Sequence, residues 1–362
     1  MPGDRVPSFK TPSRSNASFT FDSAAGRWLV LGCIGRFDQA EHQASLKAMA
    51  AETALFDDTH ASLFLLSSAP DDQAQHHVPD RIPGLRVLFD PTLSVARLLG
   101  ASTPDASGNS TYRAQWIVID PGLTIRAIVP LAPDGAEVAQ VLDMLAKVPA
   151  PERYLGFAVP PPVLILPDVF EPAFCAHLID LYHRDGAEMS GFMRDIDGKT
   201  VAIQDPGFKV RRDYVISDPD LIKATQARII RKVIPQIERV HFFRCTRMER
   251  YMVGGYPAEE GGHFSPHRDN TTLGTAHRRF AVSINLNDDF EGGAVSFPEY
   301  SPQGIKAPKG AAVIFSCSLL HAVGRVTHGT RYAFLPFLYD DAAAKLREAN
   351  AARVPNAAGY KA

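Results

Sequence analysis

A proline-rich segment at residues 148–162 constrains the fold of this 362-residue chain more than any other feature. It carries prolines at positions 149, 151, 160, 161 and 162, and prolines at this density cannot continue a helix or a central strand. The chain on either side is long enough to bury a core of its own. We therefore predict a domain at residues 1–147, the linker at 148–162, a second domain at 163–341, and a C-terminal helix and tail at 342–362.

The chain before the linker alternates apolar runs with helical patterns. The strands are expected at residues 28–31, 63–66, 85–89, 115–119 and 123–129, and the helices at residues 39–55 and 137–145. Asp120-Pro121-Gly122 predicts the turn between the last two strands. Alternating strands and helices that end in a hairpin and a helix predict an α/β layered sheet.

The chain after the linker begins with helices and continues with short strands. Helices are expected at residues 172–182 and 221–240, and strands at 280–286, 294–297, 311–315 and 332–339. Short strands separated by Gly and Pro turns favour a jelly-roll barrel, or double-stranded β-helix, with helices packed outside it.

A possible metal site begins at His267-Arg268-Asp269. Residues two apart on an extended segment point to the same side, so both side chains can reach one ion. Alone, such a triplet is also typical of a polar loop. His321, which follows the apolar run at 311–315, supplies a second imidazole. Two histidines and one carboxylate form the triad that holds Fe(II) in oxygenases and leaves open positions opposite.

Arg331 stands at the start of the last predicted strand, followed by Tyr332-Ala333-Phe334. Arginine presents a permanently charged planar fork that binds a carboxylate with two hydrogen bonds. The distal carboxylate of 2-oxoglutarate is such a group. Taken alone, Arg331 could form a surface ion pair and His321 could be a core residue. Their occurrence together, in this order after residues 267–269, favours a metal and co-substrate site.

Charge and cysteine usage exclude several other classes of protein. The net charge is −2, so we expect neither nucleic acid nor an anionic membrane as a partner. The longest nearly apolar stretch, residues 311–323, is too short to span a bilayer. The four cysteines are far apart and form no metal-binding pair, which fits reduced thiols in a cytoplasmic protein.

The sequence motifs of the second domain resemble those of one family, the 2-oxoglutarate/Fe(II) dioxygenases of the prolyl 4-hydroxylase type. The motifs are Arg250-Tyr251 and residues 261–269, 283–287, 290–293, 297–298, 308–310 and 321–331. The resemblance covers most of residues 163–340 and implies an enzyme that uses Fe(II), 2-oxoglutarate and O₂ and releases succinate and CO₂. Its substrate would be a small molecule or a peptidyl residue, hydroxylated at a C–H bond.

The resemblance also implies roles for single residues. His267, Asp269 and His321 would bind iron, and Arg331 would bind 2-oxoglutarate. Tyr251 would be a hydrogen-bonding neighbour of 2-oxoglutarate, with a core aromatic as the alternative. Two positions depart from the family pattern. This chain has Ala294 where relatives often have an acid, and it has Asn285 where some have a tyrosine that contacts the co-substrate, so Asn285 is expected to contact 2-oxoglutarate in its place.

The first domain resembles the peroxiredoxin branch of the thioredoxin-like fold. Residues 3–9 look like its opening strand, and residues 88–91 and 117–122 look like later landmarks. The loop at 35–42, where the branch carries its reactive cysteine, has none, and Cys33 falls within the preceding strand. The resemblance therefore implies a redox-inactive domain.

Several alternatives stay open from the sequence. The barrel is either catalytic or a non-catalytic metal- or ligand-binding protein, and a thiol peroxidase is disfavoured by the missing cysteine. The first domain can present a protein partner, mediate a homodimer or brace the barrel. Arg211 and Arg212 either meet a substrate or pair with Asp213, and His263 and His328 are further candidates for lining the site.

Overall fold

The computed structural model describes residues 1–75, 78–104 and 110–354. The chain forms two compact units, one of Met1–Pro160 with Pro298–Pro302 and one of residues 161–297 with residues 303 onward. This division falls within the proline-rich segment. The predicted C-terminal helix is present as a helix that begins at Asp341, and residues 355–362 of the predicted tail lie outside the described residues.

The first unit is built on one five-stranded sheet. Its strands are β1 (Lys10–Thr11), β2 (Phe19–Thr20), β3 (Trp28–Gly35), β4 (Ala61–Ser67), β5 (Leu85–Phe89), β6 (Ser102–Pro104), β7 (Ser110–Tyr112), β8 (Gln115–Ile119) and β9 (Ile125–Pro130), and its helices are α1 (Ala40–Ala51), α2 (Asp72–Gln75), α3 (Ser94–Leu98) and α4 (Glu137–Lys147). The order in the sheet is β5-β4-β3-β8-β9, with β3, β4 and β5 parallel and β8 and β9 antiparallel. All residues of β3 and β4 are buried, as expected for apolar strands covered on both faces.

Each strand predicted for this sheet is present, as β3, β4, β5, β8 and β9. The prediction of an opening strand at residues 3–9 is wrong. Arg5 forms a single bridge to Thr124, and the first strand begins only at Lys10. Pro7 interrupts residues 3–9, and a proline has no N–H to donate to a strand ladder.

Among the described residues, the second unit contains two large antiparallel sheets, two sheets of two strands each and four α-helices. Its elements are β10 (Leu164–Leu166), α5 (Pro172–Asp185), β11 (Glu188–Met189), β12 (Phe192–Ile196), β13 (Lys199–Ile203), β14 (Lys209–Val210), β15 (Arg212–Val215), α6 (Pro219–Lys232), α7 (Ile234–His241), β16 (Arg247–Glu249), β17 (Met252–Pro257), β18 (His263–His267), β19 (Phe280–Asn285), β20 (Glu291–Gly292), β21 (Val295–Phe297), β22 (Ser301–Ile305), β23 (Ala312–Ser316), β24 (His321–Val323), β25 (Val326–His328), β26 (Thr330–Phe334), β27 (Phe337–Tyr339) and α8 (Asp341–Asn350). In the described part of the chain, none of the helices has both the length and the apolar character needed to cross a membrane.

The two sheets have the jelly-roll-type arrangement that the sequence predicts. The larger sheet runs β10-β23-β19-β26-β17-β15-β11, with β16 and β27 joined at its side, and the smaller runs β14-β18-β24-β21-β22. A cavity between them is lined by side chains from both sheets. The outer face of the larger sheet packs on helices, where Leu178, Ile229 and Ile237 meet Val253 and Ile284 in one buried cluster.

Two predicted elements are each divided by a proline. The helix expected at residues 221–240 is two helices, α6 and α7, separated at Val233. Pro235 has no backbone N–H with which to continue the helical hydrogen bonds of α6. The strand expected at 332–339 is likewise two, β26 and β27, separated at Leu335-Pro336. Both halves still pair with β19.

Candidate active site

Strand pairing brings the three predicted metal ligands together. His267 ends β18 and His321 begins β24, and the two are direct partners across this antiparallel pair. Their side chains therefore share one face, with the ring centroids 4.3 Å apart. Asp269 lies two residues beyond His267, and its backbone N–H donates to the carbonyl of Cys317 at 3.0 Å. Its carboxylate oxygens lie 3.6 Å from His267 Nε2 and 3.3 Å from His321 Nε2.

The hydrogen bonds of the two imidazoles assign their tautomers. His267 Nδ1 lies 2.8 Å from the carbonyl oxygen of Ser265, and His321 Nδ1 lies 3.1 Å from that of Leu319. A carbonyl oxygen only accepts, so each Nδ1 carries the hydrogen and each Nε2 offers a lone pair. One ligand atom from each of the three residues lies within 4.8 Å of the others. Two imidazole nitrogens and one carboxylate oxygen, oriented by backbone carbonyls, fit a divalent metal such as Fe(II).

The electrostatics of the triad favour the protonation states that a metal requires. Burial and the neighbouring His267 together lower the pKa of His321 to about 4, against the opposite effect of Asp269. Burial opposes ionisation of Asp269, but the imidazoles of His321 and His267 outweigh it and hold the pKa of Asp269 below its usual range. At neutral pH His321 is neutral and Asp269 is charged, as metal ligands must be.

Aromatic rings cover the sides of the two imidazoles. Phe264 stacks on His267 with ring centroids 3.6 Å apart, and Phe315 lies 4.6 Å from His321 by the same measure. Both phenylalanines line the cavity. The rings restrict the imidazoles to one orientation and exclude water from their faces.

Arg331 lines the same cavity and is 1% exposed. Its Nε donates to Asn285 Oδ1 at 3.0 Å and its Nη2 donates to Ser283 Oγ at 2.8 Å, whereas its buried Nη1 has no partner among the described residues. Burial lowers its pKa, and no carboxylate in the described part of the chain raises it again. Arginine nevertheless stays protonated in proteins. A buried guanidinium with an unused donor fits the carboxylate of a bound anion.

Tyr256 lies beside Arg331, and Tyr251 does not. Tyr256 is the cross-strand partner of Arg331, and the Arg331 guanidinium lies 5.3 Å from the centre of its ring. Its hydroxyl accepts a hydrogen bond from Arg211 Nη1 at 3.3 Å. The Tyr251 hydroxyl instead accepts from Gln226 at 2.6 Å, and its ring packs against the core beneath the larger sheet.

The position of Tyr256 could have been found from strand periodicity. The two tyrosines are five residues apart on one extended segment, so their side chains point to opposite faces. Tyr256 therefore lines the cavity beside Arg331, and Tyr251, for which the contact with the co-substrate was expected, does not. Asn285, the other residue expected to contact 2-oxoglutarate, uses its amide oxygen on Arg331 and its amide nitrogen on the carbonyl of Ala307 at 2.6 Å. It positions the arginine.

The structure separates the remaining candidates. Arg211 lines the cavity and binds Asp213 through Nε and Nη2 at 2.6 and 2.7 Å, so the expected pairing occurs in the cavity wall. Arg212 pairs with Glu260 at 2.8 Å and does not line the cavity. His263 Nδ1 lies 2.8 Å from the carbonyl oxygen of Gly261, outside the triad.

His328 and Arg250 differ in whether they line the cavity. His328 is exposed on β25 and takes no part in the cavity. Arg250 lines the cavity, whereas the sequence indicated it only as part of a family motif and gave it no role in the site. Its φ of 66° places it in the left-handed region, which no residue pattern signals for an arginine.

Comparisons with solved structures find similarity over part of the chain. A prolyl hydroxylase from Trichoplax adhaerens, solved with a hypoxia inducible factor peptide fragment, has a TM-score of 0.41 and 16% identity, covering 52% of this chain and 86% of that one. The peroxidoxin BcpB from Mycobacterium tuberculosis has a TM-score of 0.34 and 18% identity, covering 41% of this chain and 97% of that one.

Sequence comparisons find one similar hydroxylase and one matching family model. A PKHD-type hydroxylase from Hyphomonas neptunium is 34% identical over 102 residues, a match that spans 26% of this chain and 42% of that protein. Residues 230–339 match the family model of the 2OG-Fe(II) oxygenase superfamily, and this segment contains His267, Asp269, His321 and Arg331.

Proposed function

We propose that this chain is an Fe(II)- and 2-oxoglutarate-dependent dioxygenase that hydroxylates a C–H bond of an amino acid, either free or within a peptide or protein. One observation carries the proposal. A three-residue metal face and a buried guanidinium with an unused donor line the same cavity. The match of residues 230–339 to the oxygenase family and the similarity to a hydroxylase support it independently.

Each group of the site has a distinct task in this reaction. His267 Nε2, His321 Nε2 and the Asp269 carboxylate would hold the iron, and Arg331 would bind the distal carboxylate of 2-oxoglutarate beside the ring of Tyr256. When bound, iron(II), 2-oxoglutarate and O₂ supply the oxidising power for hydroxylation, with succinate and CO₂ as co-products.

Four further residues orient or shield the binding groups of the cavity in the absence of ligand. Asn285 and Ser283 fix the plane of the Arg331 guanidinium, so little conformational freedom is lost when a carboxylate binds. Phe264 and Phe315 keep water from the imidazoles. The protein therefore contributes orientation and water exclusion.

An anaerobic titration of the metal-free protein with Fe(II) and 2-oxoglutarate tests the proposal. We expect a visible charge-transfer band in the wild type, no band in His267→Ala, and a much higher 2-oxoglutarate requirement in Arg331→Ala. Loss of the charged hydrogen bonds of one arginine weakens binding by roughly tenfold to a hundredfold.

Two matched variants control for general damage to the fold. His263→Ala removes a histidine from the same strand but outside the triad, and Arg325→Ala removes an exposed arginine next to β25. Both are expected to give the wild-type band. A folded, iron-loaded wild type without a band would overturn the co-substrate assignment, and the barrel would then be a metal- or ligand-binding protein.

We also propose that the first unit is a thioredoxin-like domain without redox activity. Its sheet order β5-β4-β3-β8-β9, with three parallel strands at one side, supports this fold. The loop after β3 contains no cysteine, and Cys33 is buried within that strand. Presenting a protein substrate, mediating a homodimer and bracing the barrel are its three candidate roles. Four buried free thiols support a cytoplasmic location.

A further inference from the structure

Three polar residues are neighbours across the strands of the larger sheet. Tyr256 on β17 is the cross-strand partner of Arg331 on β26. On the other side of β17, Arg212 of β15 pairs with Gly255. Arg211 precedes Arg212 in the chain, so it lies next to Tyr256. The order across the sheet is therefore Arg211, Tyr256, Arg331, and all three line the cavity that contains the triad.

A carboxylate holds Arg211 in one position. Its Nε and Nη2 donate to the two oxygens of Asp213 at 2.6 and 2.7 Å, and its Nη2 also donates to Ser190 Oγ at 3.3 Å. A guanidinium paired in this two-pronged way is fixed in one plane. Gly254 leaves space for the side chain, since a Cβ there would lie 2.9 Å from Arg211 Cδ. The remaining nitrogen, Nη1, then donates to the hydroxyl of Tyr256 at 3.3 Å.

This hydrogen bond determines how the Tyr256 hydroxyl is used. A guanidinium only donates, so the Tyr256 oxygen must be the acceptor. The single hydrogen of the phenol is then left for a different partner. No side chain among the described residues accepts it. Tyr256 is 1% exposed and lines the cavity, so a molecule bound in the cavity is the partner that can accept this hydrogen.

The cavity thus has two unused donors on adjacent strands. One is the Tyr256 hydroxyl and the other is Arg331 Nη1, which is buried and has no partner among the described residues. A carboxylate has two oxygens, and both of them only accept hydrogen bonds. It therefore provides one acceptor for each donor.

We propose that Arg211 is a positioning residue for the co-substrate. By donating to the Tyr256 oxygen, it directs the hydroxyl hydrogen to the distal carboxylate of 2-oxoglutarate, which then binds Tyr256 and Arg331 together. Arg211 acts through Tyr256 and does not bind the ligand itself. The inference rests on the proposed function, because it concerns the same co-substrate.

Removal of the Tyr256 hydroxyl is the first test. The full chain, loaded with Fe(II) without oxygen, is titrated with 2-oxoglutarate, and the charge-transfer band gives the half-saturating concentration. We expect Tyr256→Phe to need roughly tenfold more 2-oxoglutarate or more, as for a lost hydrogen bond to a charged group. Tyr251→Phe is the matched control and should bind as the wild type, because that hydroxyl bonds to Gln226 outside the cavity.

A double-mutant cycle then tests whether Arg211 acts through this hydroxyl. Arg211→Lys keeps a positive charge opposite Asp213 but has only one nitrogen, which cannot serve both Asp213 and Tyr256. We expect it to weaken 2-oxoglutarate binding by roughly threefold to tenfold. In the Tyr256→Phe background it should cause no further weakening, whereas general damage to the site would appear in both backgrounds. Arg212→Gln, at a residue paired with Glu260 outside the cavity, should behave as the wild type.

Two results would overturn the inference. One is a folded Tyr256→Phe protein with the affinity of the wild type for 2-oxoglutarate, a comparison that needs no change at Arg211. The other is that Arg211→Lys has no effect or weakens binding equally in both backgrounds. In each case the wild type still gives the band, so the proposed function stands; its own failure is recognised by a wild type without the band.

Discussion

Arg331 is held by neutral partners in a place where water cannot solvate it. Asn285 and Ser283 accept two of its hydrogen bonds, and the larger sheet supplies all three residues, from β19 and β26. Neutral acceptors orient a guanidinium without neutralising it. The full positive charge therefore remains available to an incoming carboxylate.

The serine is the simplest place to test this arrangement. Ser283→Ala leaves Arg331 Nη2 buried without its acceptor, which costs about 1–3 kcal/mol of unfolding free energy and weakens 2-oxoglutarate binding by roughly tenfold. Chemical denaturation and the charge-transfer titration measure the two effects. Ser23→Ala, which removes a hydroxyl hydrogen bond to Thr20 in the first unit, is the control and should leave co-substrate affinity unchanged. Unchanged affinity in Ser283→Ala would mean that Arg331 needs no such support.

At the scale of secondary-structure elements, a buried charged cluster joins β16 to α8. Glu249 on β16 binds His277 Nε2 at 2.9 Å and Arg278 Nε at 2.7 Å, and Arg347 on α8 lies 3.5 Å from the same carboxylate. Burial disfavours the charged form of Glu249, but Arg278 and His277 outweigh it and lower the pKa of Glu249 to about 2. The carboxylate is the common partner of three basic side chains.

Removing this charge should destabilise the second unit. Glu249→Gln leaves buried basic groups without their anion, which costs about 3–5 kcal/mol of unfolding free energy at neutral pH. The folded-state pKa lies below the unfolded value, so this stabilisation is complete above the unfolded pKa of about 4.3 and is lost as the pH falls toward 2.

Denaturant unfolding at several pH values measures the difference in unfolding free energy between the wild type and Glu249→Gln. This difference should be constant from neutral pH down to about 5 and should then shrink in more acidic solution. Glu348→Gln, at an exposed position on α8, serves as the control and should change little at any pH. A Glu249→Gln protein as stable as the wild type at neutral pH would show that the cluster contributes no net stability.

Sequence patterns predicted those elements that depend on local chemistry. The apolar runs predicted β3, β4, β5, β8 and β9. The spacing of His267 and Asp269, with His321 after a distant apolar run, predicted the triad that strand pairing assembles. Tyr256 was missed because its position depends on which strands pair, and the place of Arg250 in the cavity was missed because it depends on a left-handed φ. Pro235 and Pro336 each divided an apolar pattern that predicted one element into two elements.

At the scale of the whole molecule, each of the two units has its own apolar core, and the cysteines lie inside. Burial raises the pKa of Cys33 and Cys245 to about 12 and of Cys175 to about 11, and it also raises that of Cys317. A thiol with so high a pKa is rarely ionised, and the thiolate is the reactive form.

We therefore expect the native protein to resist thiol reagents. Ellman's reagent at pH 8 should label none of the four cysteines within minutes in the folded protein, and all four after unfolding in guanidinium chloride. Hydrogen peroxide should likewise be consumed no faster than by buffer. Rapid labelling of one thiol together with peroxide consumption would contradict the redox-inactive assignment and favour a thiol peroxidase.

The unused donor of Arg331 has a consequence for the stability of the folded protein without its ligand. A buried cation without its anion burdens the folded state, and binding of the anion relieves that burden only while the chain is folded. A dicarboxylate that binds Arg331 should then slow proteolysis of the protein, because the ligand-bound chain opens less often than the ligand-free chain. If the chain binds 2-oxoglutarate as proposed, the free energy of unfolding should therefore rise with the concentration of the co-substrate.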